Sequence, residues 1–458
     1  MKISSKKIVV ALTTCASVFS IAACGKKNSN TSGYSSFSGD PTQLSAHITF
    51  WHTMGQENRE ILDGMIAEFN EHYPNIEVEH ASQGGYDDIK TKISAAIPAG
   101  TTPTMAFCYP DHVAEYMSSG AIEEMSGYVT DSKIGLSTEA WDSPGGEGDF
   151  IAKFWEEGKS YGPKYGIDGG LYSVPYSKST EVLFYDKTTF EAKGWKVPTT
   201  WSEMEDIMAK AVAAGYKYGL GYDSDANLLI TRMEQEGIPY TTAEGDDNFL
   251  FNNDDAKGLV RQMKTWFDNK WLITSGTSAN SSYTSEFFTK GETPMTIGST
   301  GGTRYNYFDG PEIGVAPLPA GSQNNHIISQ GPSICFFSRA SQEERFAAWL
   351  FYKWITNTQN SALYATLTGY SPVRSSSFKD PYFVEFVDDV TTTGKDALFQ
   401  KTLAFNVELE DRYFVSPAFK GSSTARTEMD GIMANVLLGT KTVDQAFDDA
   451  LTNCLFAG

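Results

Sequence analysis

From residue 47 onward the spacing of apolar residues changes period every few positions. Residues 47–52 (HITFWH) alternate as a short strand. Over 57–73, Ile61, Leu62, Met65, Ile66 and Phe69 form a helical stripe that Pro74-Asn75 stops. Residues 76–79 alternate again as a strand. Residues 86–97 read as a helix ended by Pro98-Ala99-Gly100, and 103–109 (PTMAFCY) as a buried strand. This β-α-β-α-β order with short connections predicts a parallel sheet flanked by helices. Strands are expected at 171–176, 180–185, 295–298 and 333–338. Another at 314–319 has edge character because of its prolines. Thr200 or Ser202 is expected to cap a helix running to about Ala214, and amphipathic helices are expected at 341–356, 425–438 and 442–455.

The N-terminus follows another pattern. Lys2, Lys6 and Lys7 precede an uncharged apolar run that ends at Ile21-Ala22-Ala23-Cys24. The run has the length of a signal h-region and is short for a membrane span. Small residues before a cysteine resemble the bacterial lipobox. The resemblance implies removal of residues 1–23 as a signal peptide, acylation of Cys24, and a protein held outside the bacterial cell membrane. Residues 24–44, rich in Ser, Gly and Asn, read as a flexible tether. Once Cys24 is acylated, Cys108, Cys335 and Cys454 remain, so at least one thiol is unpaired. Cys108 and Cys335 read as small buried hydrophobes.

Composition narrows the function. The chain has 458 residues, 40% of them hydrophobic, and a net charge of −21. That is ample core for two or three domains. So acidic a chain is a poor partner for nucleic acid or anionic lipid, both of which need a basic footprint. There is no HExxH, GxSxG, GxxxxGK[ST] or CxxC, and the six histidines lack ligand spacing. No cofactor or metal is expected. Asp223, Asp225 and Asn227 resemble the start of a calcium loop. Leu228 stands where such a loop needs glycine, so a polar turn opening a helix is the plainer expectation. The aromatic residues are the conspicuous resource: 9 Trp, 23 Tyr and 28 Phe. Several sit beside turns and polar residues at strand ends, among them Trp51, Tyr86, Tyr109 with Asp111, and Tyr370. In open α/β sheets ligands bind there. A ring face can stack on the apolar face of a sugar while carboxylates, amides and Arg bind its hydroxyls.

Four stretches, in order, resemble one family: 48–79 (ITFWHTMGQENREILDGMIAEFNEHYPNIEVE), 171–204 (LYSVPYSKSTEVLFYDKTTFEAKGWKVPTTWSEM), 291–321 (GETPMTIGSTGGTRYNY, then IGVAPLPAG) and 331–374, ending LTGYSPVR. Together they are similar to the extracellular solute-binding proteins of ABC importers, in the large sugar-binding group. FWH and TGYSP look most like the branch with glycerol-phosphate-binding proteins. The resemblance implies an α/β, two-lobe fold of the periplasmic-binding-protein type (type II), with a ligand cleft between lobes joined by hinge strands. Lobe one would be 45–176 plus 327–378, and lobe two 177–326 plus 379–458.

The resemblance also implies a site. Tyr86 follows the second strand, and Tyr109 and Asp111 follow the third, with Pro110 intervening where the branch often has the acid. Ser177 and Ser179 match the polar hinge turn; Ser299, Thr300 and Gly301 match the turn after MTIGS. Gln330 and Gly331 precede SICFF. Tyr370 would be a stacking platform and Arg426 a donor to hydroxyls or phosphate, while Arg374 reads equally well as part of an inter-element salt bridge. The implied protein is a monomer and not an enzyme. Its partners would be a small carbohydrate and ABC permease subunits, and it would touch the membrane only through its lipid anchor. Glycerol phosphate or its diesters is the alternative ligand; a secreted carbohydrate-active enzyme and a surface adhesin are the rival classes.

Overall fold

The alternating and helical stripes of the first hundred residues build the first of two five-stranded sheets; a third, two-stranded sheet pairs a short strand after residue 326 with one near residue 413. The structure is a computed structural model that describes residues 34–142, 144–159, 170–279 and 282–457. The expected signal peptide, Cys24 and the first part of the tether lie outside the described residues. The strands are β1 (Ala46–His52), β2 (Ile76–Ser82), β3 (Met105–Cys108), β4 (Val174–Pro175), β5 (Glu181–Asp186), β6 (Leu220–Tyr222), β7 (Leu272–Thr274), β8 (Met295–Ser299), β9 (Ile313–Ala316), β10 (Ile327–Ile328), β11 (Ser333–Phe336) and β12 (Tyr413–Phe414).

The first sheet has the order β2-β1-β3-β11-β4. β1 runs parallel to β2 and β3, joined by the helices Gln56–His72 and Tyr86–Ala99, as the βαβ pattern requires. The second helix runs through Pro98 and ends one residue later, at Ala99, capped by Gly100 in the left-handed conformation. β11 is antiparallel to β3 and β4, so a late segment completes an early sheet. The second sheet has the order β7-β6-β8-β5-β9, with the proline-flanked β9 at its edge as expected. The expected strand at 171–176 is cut to two residues. Leu171 and Tyr172 bond to Met125 and Gly158 in loops instead.

Two segments cross between these sheets, and a third, around Ser371, lies beside them. Ser179 and Gln330 exchange both backbone hydrogen bonds, at 2.9 and 2.8 Å, and Lys178 and Ser371 do the same. Lys178 is fully buried among them. Its ammonium pairs with Glu157 and reaches Ser333 Oγ at 3.2 Å, while Ser329 Oγ donates to the other Glu157 oxygen at 2.7 Å. Each buried charge is thus met by several partners, the condition under which an interior ion pair is tolerated.

The tether is shorter than expected. From Tyr34 on, its aromatic residues dock. Tyr34 bonds Asp131 and packs on Tyr128, and Phe37 packs edge-on against Phe346. Two aromatic rings in a Ser/Gly-rich stretch provide the apolar area that ordering needs. Among the described residues no helix is long and apolar enough to cross a membrane.

Candidate functional site

The carboxyl ends of β1, β3 and β8 and the crossing segments face one cleft. One half of it, with about 1350 Å³ of open space, is lined by Tyr86, Ser177, Asp223, Tyr283, Ser299, Gly301, Arg304, Tyr305 and Tyr370, among others. The other half, about 1230 Å³, shares Tyr86, Asp223, Tyr283, Ser299 and Tyr370. It adds Asp87, Tyr109, Asp111, Ser179, Glu181, Asn227, Gln330, Gly331, Arg426 and Asp430. Elements of both sheets therefore contribute to one site.

Local sequence explains the positions. Gly85 opens the helix Tyr86–Ala99 and Pro110 opens the helix Pro110–Met117, so Tyr86 and Tyr109 both sit at helix starts after their strands. Their rings stack, with centroids 4.2 Å apart. Tyr370 lies over Gly301, where an added Cβ would come within 2.5 Å of the ring, so glycine is what lets the ring settle on the backbone. Gly331, at φ +89°, passes so close that a Cβ would meet Ser177 O at 2.3 Å. Among the described residues the buried Ser177 Oγ has no hydrogen-bond partner; it lines the cleft and is available to a ligand.

Charge is unevenly distributed. Asp87, Asp111, Glu181, Asp223 and Asp430 line the second half against Arg426. Burial pushes the Glu181 carboxyl up to about 7, although Tyr222 and Asn227 donate to it at 2.5 and 2.8 Å. Burial also raises Asp223 and Asp430. Burial alone would lower Arg426, but Asp111, Asp430, Tyr109 and Tyr240 hold it above its ordinary value. Its guanidinium bonds Asn227, which in turn bonds Glu181. Arg304, the cation of the other half, is paired with Glu57 and bonds Leu367 O at 3.0 Å.

Of the expected residues, Tyr86, Tyr109, Asp111, Ser177, Ser179, Ser299, Gly301, Gln330, Gly331, Tyr370 and Arg426 meet at the cleft. Trp51 lies within β1 against Ala81 and Ala106, half-buried and packed on the core. Thr300 is fully buried, and its hydroxyl accepts from Thr180 N at 3.3 Å in the crossing region. Arg374 is fully buried over the Phe150 ring, 3.6 Å from Asp142, in a structural position. The sequence pattern does not point to Glu181, Tyr283 or Tyr305, and it marks Asp223 only as part of the calcium-like stretch, not as a cleft residue. Tyr283 and Tyr305 are 70% and 64% exposed at the cleft, and no period marks an exposed aromatic residue in a loop. The calcium-like stretch opens the helix Asp225–Glu236, capped by Ser224. Among the described residues no group of three or more His, Cys, Asp or Glu side chains is placed to hold a metal ion.

Comparison with known proteins gives this cleft a context. Residues 64–390 match the model of the bacterial extracellular solute-binding protein family. The sn-glycerol-3-phosphate-binding periplasmic protein UgpB of Salmonella typhimurium is 25% identical over 431 residues, 88% of this chain and 90% of that protein. The same protein of Escherichia coli K12 is 23% identical over 425 residues, with equal coverage. Among solved structures, UgpB of Mycobacterium tuberculosis in complex with glycerophosphocholine superposes with a TM-score of 0.74 at 17% identity, over 90% of this chain and 98% of that one. Maltose-bound MalE3 of T. maritima gives 0.72 at 18%, over 90% and 99%. The fold is thus the two-lobe α/β one of the periplasmic sugar-binding proteins. The chain belongs to the bacterial extracellular solute-binding proteins.

Proposed function

We propose that this protein is the substrate-binding lipoprotein of an ABC importer, held outside the cell membrane by an acylated Cys24, and that it captures a neutral sugar or oligosaccharide. Lobe one is 45–176 plus 327–378 and lobe two 177–326 plus 379–458 in this reading. The support is that the chain changes sheets through 176–180 and 329–332. The ligand lies on Tyr86, Tyr109 and Tyr370, with Asp111, Ser177, Ser179, Ser299, Gln330 and Arg426 at its hydroxyls. Binding and hinge closure are the whole task, and delivery to the permease follows with no chemical step.

One observation carries the choice of ligand: five carboxylates and a set of tyrosines line the cleft, and both arginines there already face acids. Carboxylates accept hydroxyl hydrogen bonds and repel a phosphate, which seeks converging cations. A second reading, glycerol phosphate or a phosphodiester, is favoured by the UgpB relatives and by Arg426 in the wall.

A thermal-shift screen of the mature chain decides between them. A ligand at 100 times its dissociation constant stabilises by about 2.7 kcal/mol. Neutral saccharides are expected to raise the melting point. A shift with sn-glycerol 3-phosphate or glycerophosphocholine alone would reverse the choice, and turnover of a saccharide would return the protein to the enzymes.

A further inference from the structure

Two histidines stand behind the cleft wall and touch no ligand. Thr53, Met54 and Gly55 line the cleft beside Tyr86. His52, the last residue of β1, is fully buried, and its Nδ1 faces Met54 N at 3.1 Å. Its Nε2 lies 2.9 Å from His80 Nδ1, and His80 Nε2 lies 2.8 Å from Asp63 Oδ1. His80 is half-buried on β2, and Asp63 is open to solvent on the helix Gln56–His72. A chain of three hydrogen bonds thus runs from the surface to the backbone of the cleft turn.

Its protons have one arrangement. A backbone N–H only donates, so His52 Nδ1 is an acceptor and the hydrogen of that ring sits on Nε2. That hydrogen goes to His80 Nδ1, which leaves the His80 hydrogen on Nε2 for the Asp63 carboxylate. All three bonds are made only while both rings are neutral. A proton added to His80 lands on Nδ1 and sets two N–H groups against each other at 2.9 Å. Moving the His52 hydrogen to Nδ1 relieves that clash and creates another against Met54 N, so the bond to the turn is lost. The charged groups facing His52 are Asp63 and Arg59 on the helix and His80 on β2; β3 adds the uncharged Phe107 ring. Arg59 also donates to Met54 O at 3.3 Å. Burial first, then His80 and Arg59, hold His52 down to about 3, so it stays neutral where ordinary histidines titrate. Asp63 draws the incoming proton to His80 instead.

We propose that His52 and His80 are positioning residues for ligand capture: neutral, they fix the turn 53–55 in the cleft wall, and a proton on His80 releases it, so that the protein binds its ligand less tightly in acid. This rests on capture in the cleft, whichever ligand is captured. The first test needs no ligand: hydrogen exchange of the mature chain, read as the protection factor of the Met54 amide. That factor is expected to fall about tenfold between pH 7.5 and pH 5, the worth of one hydrogen bond. His80→Asn puts an amide oxygen where Nδ1 accepts and does not titrate, so its protection should stay high at both pH values. His80→Leu offers no acceptor, and its protection should be low at both. Glucose, maltose, maltotriose and sn-glycerol 3-phosphate, titrated calorimetrically, read the consequence. Any that binds is expected to lose affinity severalfold more in acid with the parent than with His80→Asn; cleft groups such as Glu181 act on both proteins alike. Parent protection that is equal at both pH values, or that falls equally in His80→Asn, overturns the positioning role while capture stands. So does an acid loss of affinity that is the same in both proteins. If none of the four binds while protection behaves as expected, the capture reading suffers and the hold on the turn stands.

Discussion

Tyr370 shows how single residues divide between holding the fold and holding the ligand. Its ring rests on Gly301 and beside Tyr364, partly open to the cleft. Tyr370→Ala is therefore expected to weaken ligand binding about tenfold or more while lowering the unliganded melting point little. Collapse of that melting point would mark the ring as core. Glu181 makes a different prediction. Its folded carboxyl titrates near 7, while the unfolded chain gives up that proton near 4.5. Between those values the folded protein holds a proton that the unfolded chain has lost, so stability falls as pH rises through that window and levels off above it. The loss is about 3 kcal/mol at most. Glu181→Gln should flatten this slope in denaturant titrations at pH 5 and pH 8; an unchanged difference would place the slope on other groups. Tyr109 was legible because it ends an apolar strand run, and Arg426 only through the family resemblance. Glu181 was not, because β5 reads as an ordinary strand and only the return of the chain brings Tyr222 and Asn227 onto it.

At the scale of elements, the periodic strands and helices of the first hundred residues form where the pattern puts them, because local spacing decides them. The crossing segments are another matter. They are short and polar, and their partners lie about 150 to 190 residues away, as between Ser179 and Gln330 and between Lys178 and Ser371. No local period encodes such pairings. Their energetics are testable. Lys178→Met leaves Glu157 buried without its cation, which should cost about 3–5 kcal/mol of stability, and adding Glu157→Leu should recover much of it. Equal losses in the single and double variants would show that the pair itself is not what matters. Gly331→Ala forces a side chain onto Ser177 O at positive φ. It is expected to destabilise the crossing, read as faster hydrogen exchange at Ser179 and Gln330.

Over the whole molecule, the two sheets and their helices form the walls of the cleft, and a few contacts reach across it. Arg304, beyond β8, pairs with Glu57 and Asn58 on the helix after β1. Lys90 bonds Ser423 from the opposite side. Contacts across a cleft favour its closed state, and a ligand touching both walls does the same. Because Glu57 is largely exposed, Arg304→Ala should weaken binding by at most about fivefold. The most direct test of the account is small-angle X-ray scattering of the mature chain with and without the saccharide that stabilises it most. The account predicts that the radius of gyration shrinks on binding and that Arg304→Ala raises the value of the unliganded protein. A saccharide that binds tightly and leaves the scattering of both proteins unchanged would contradict capture by closure.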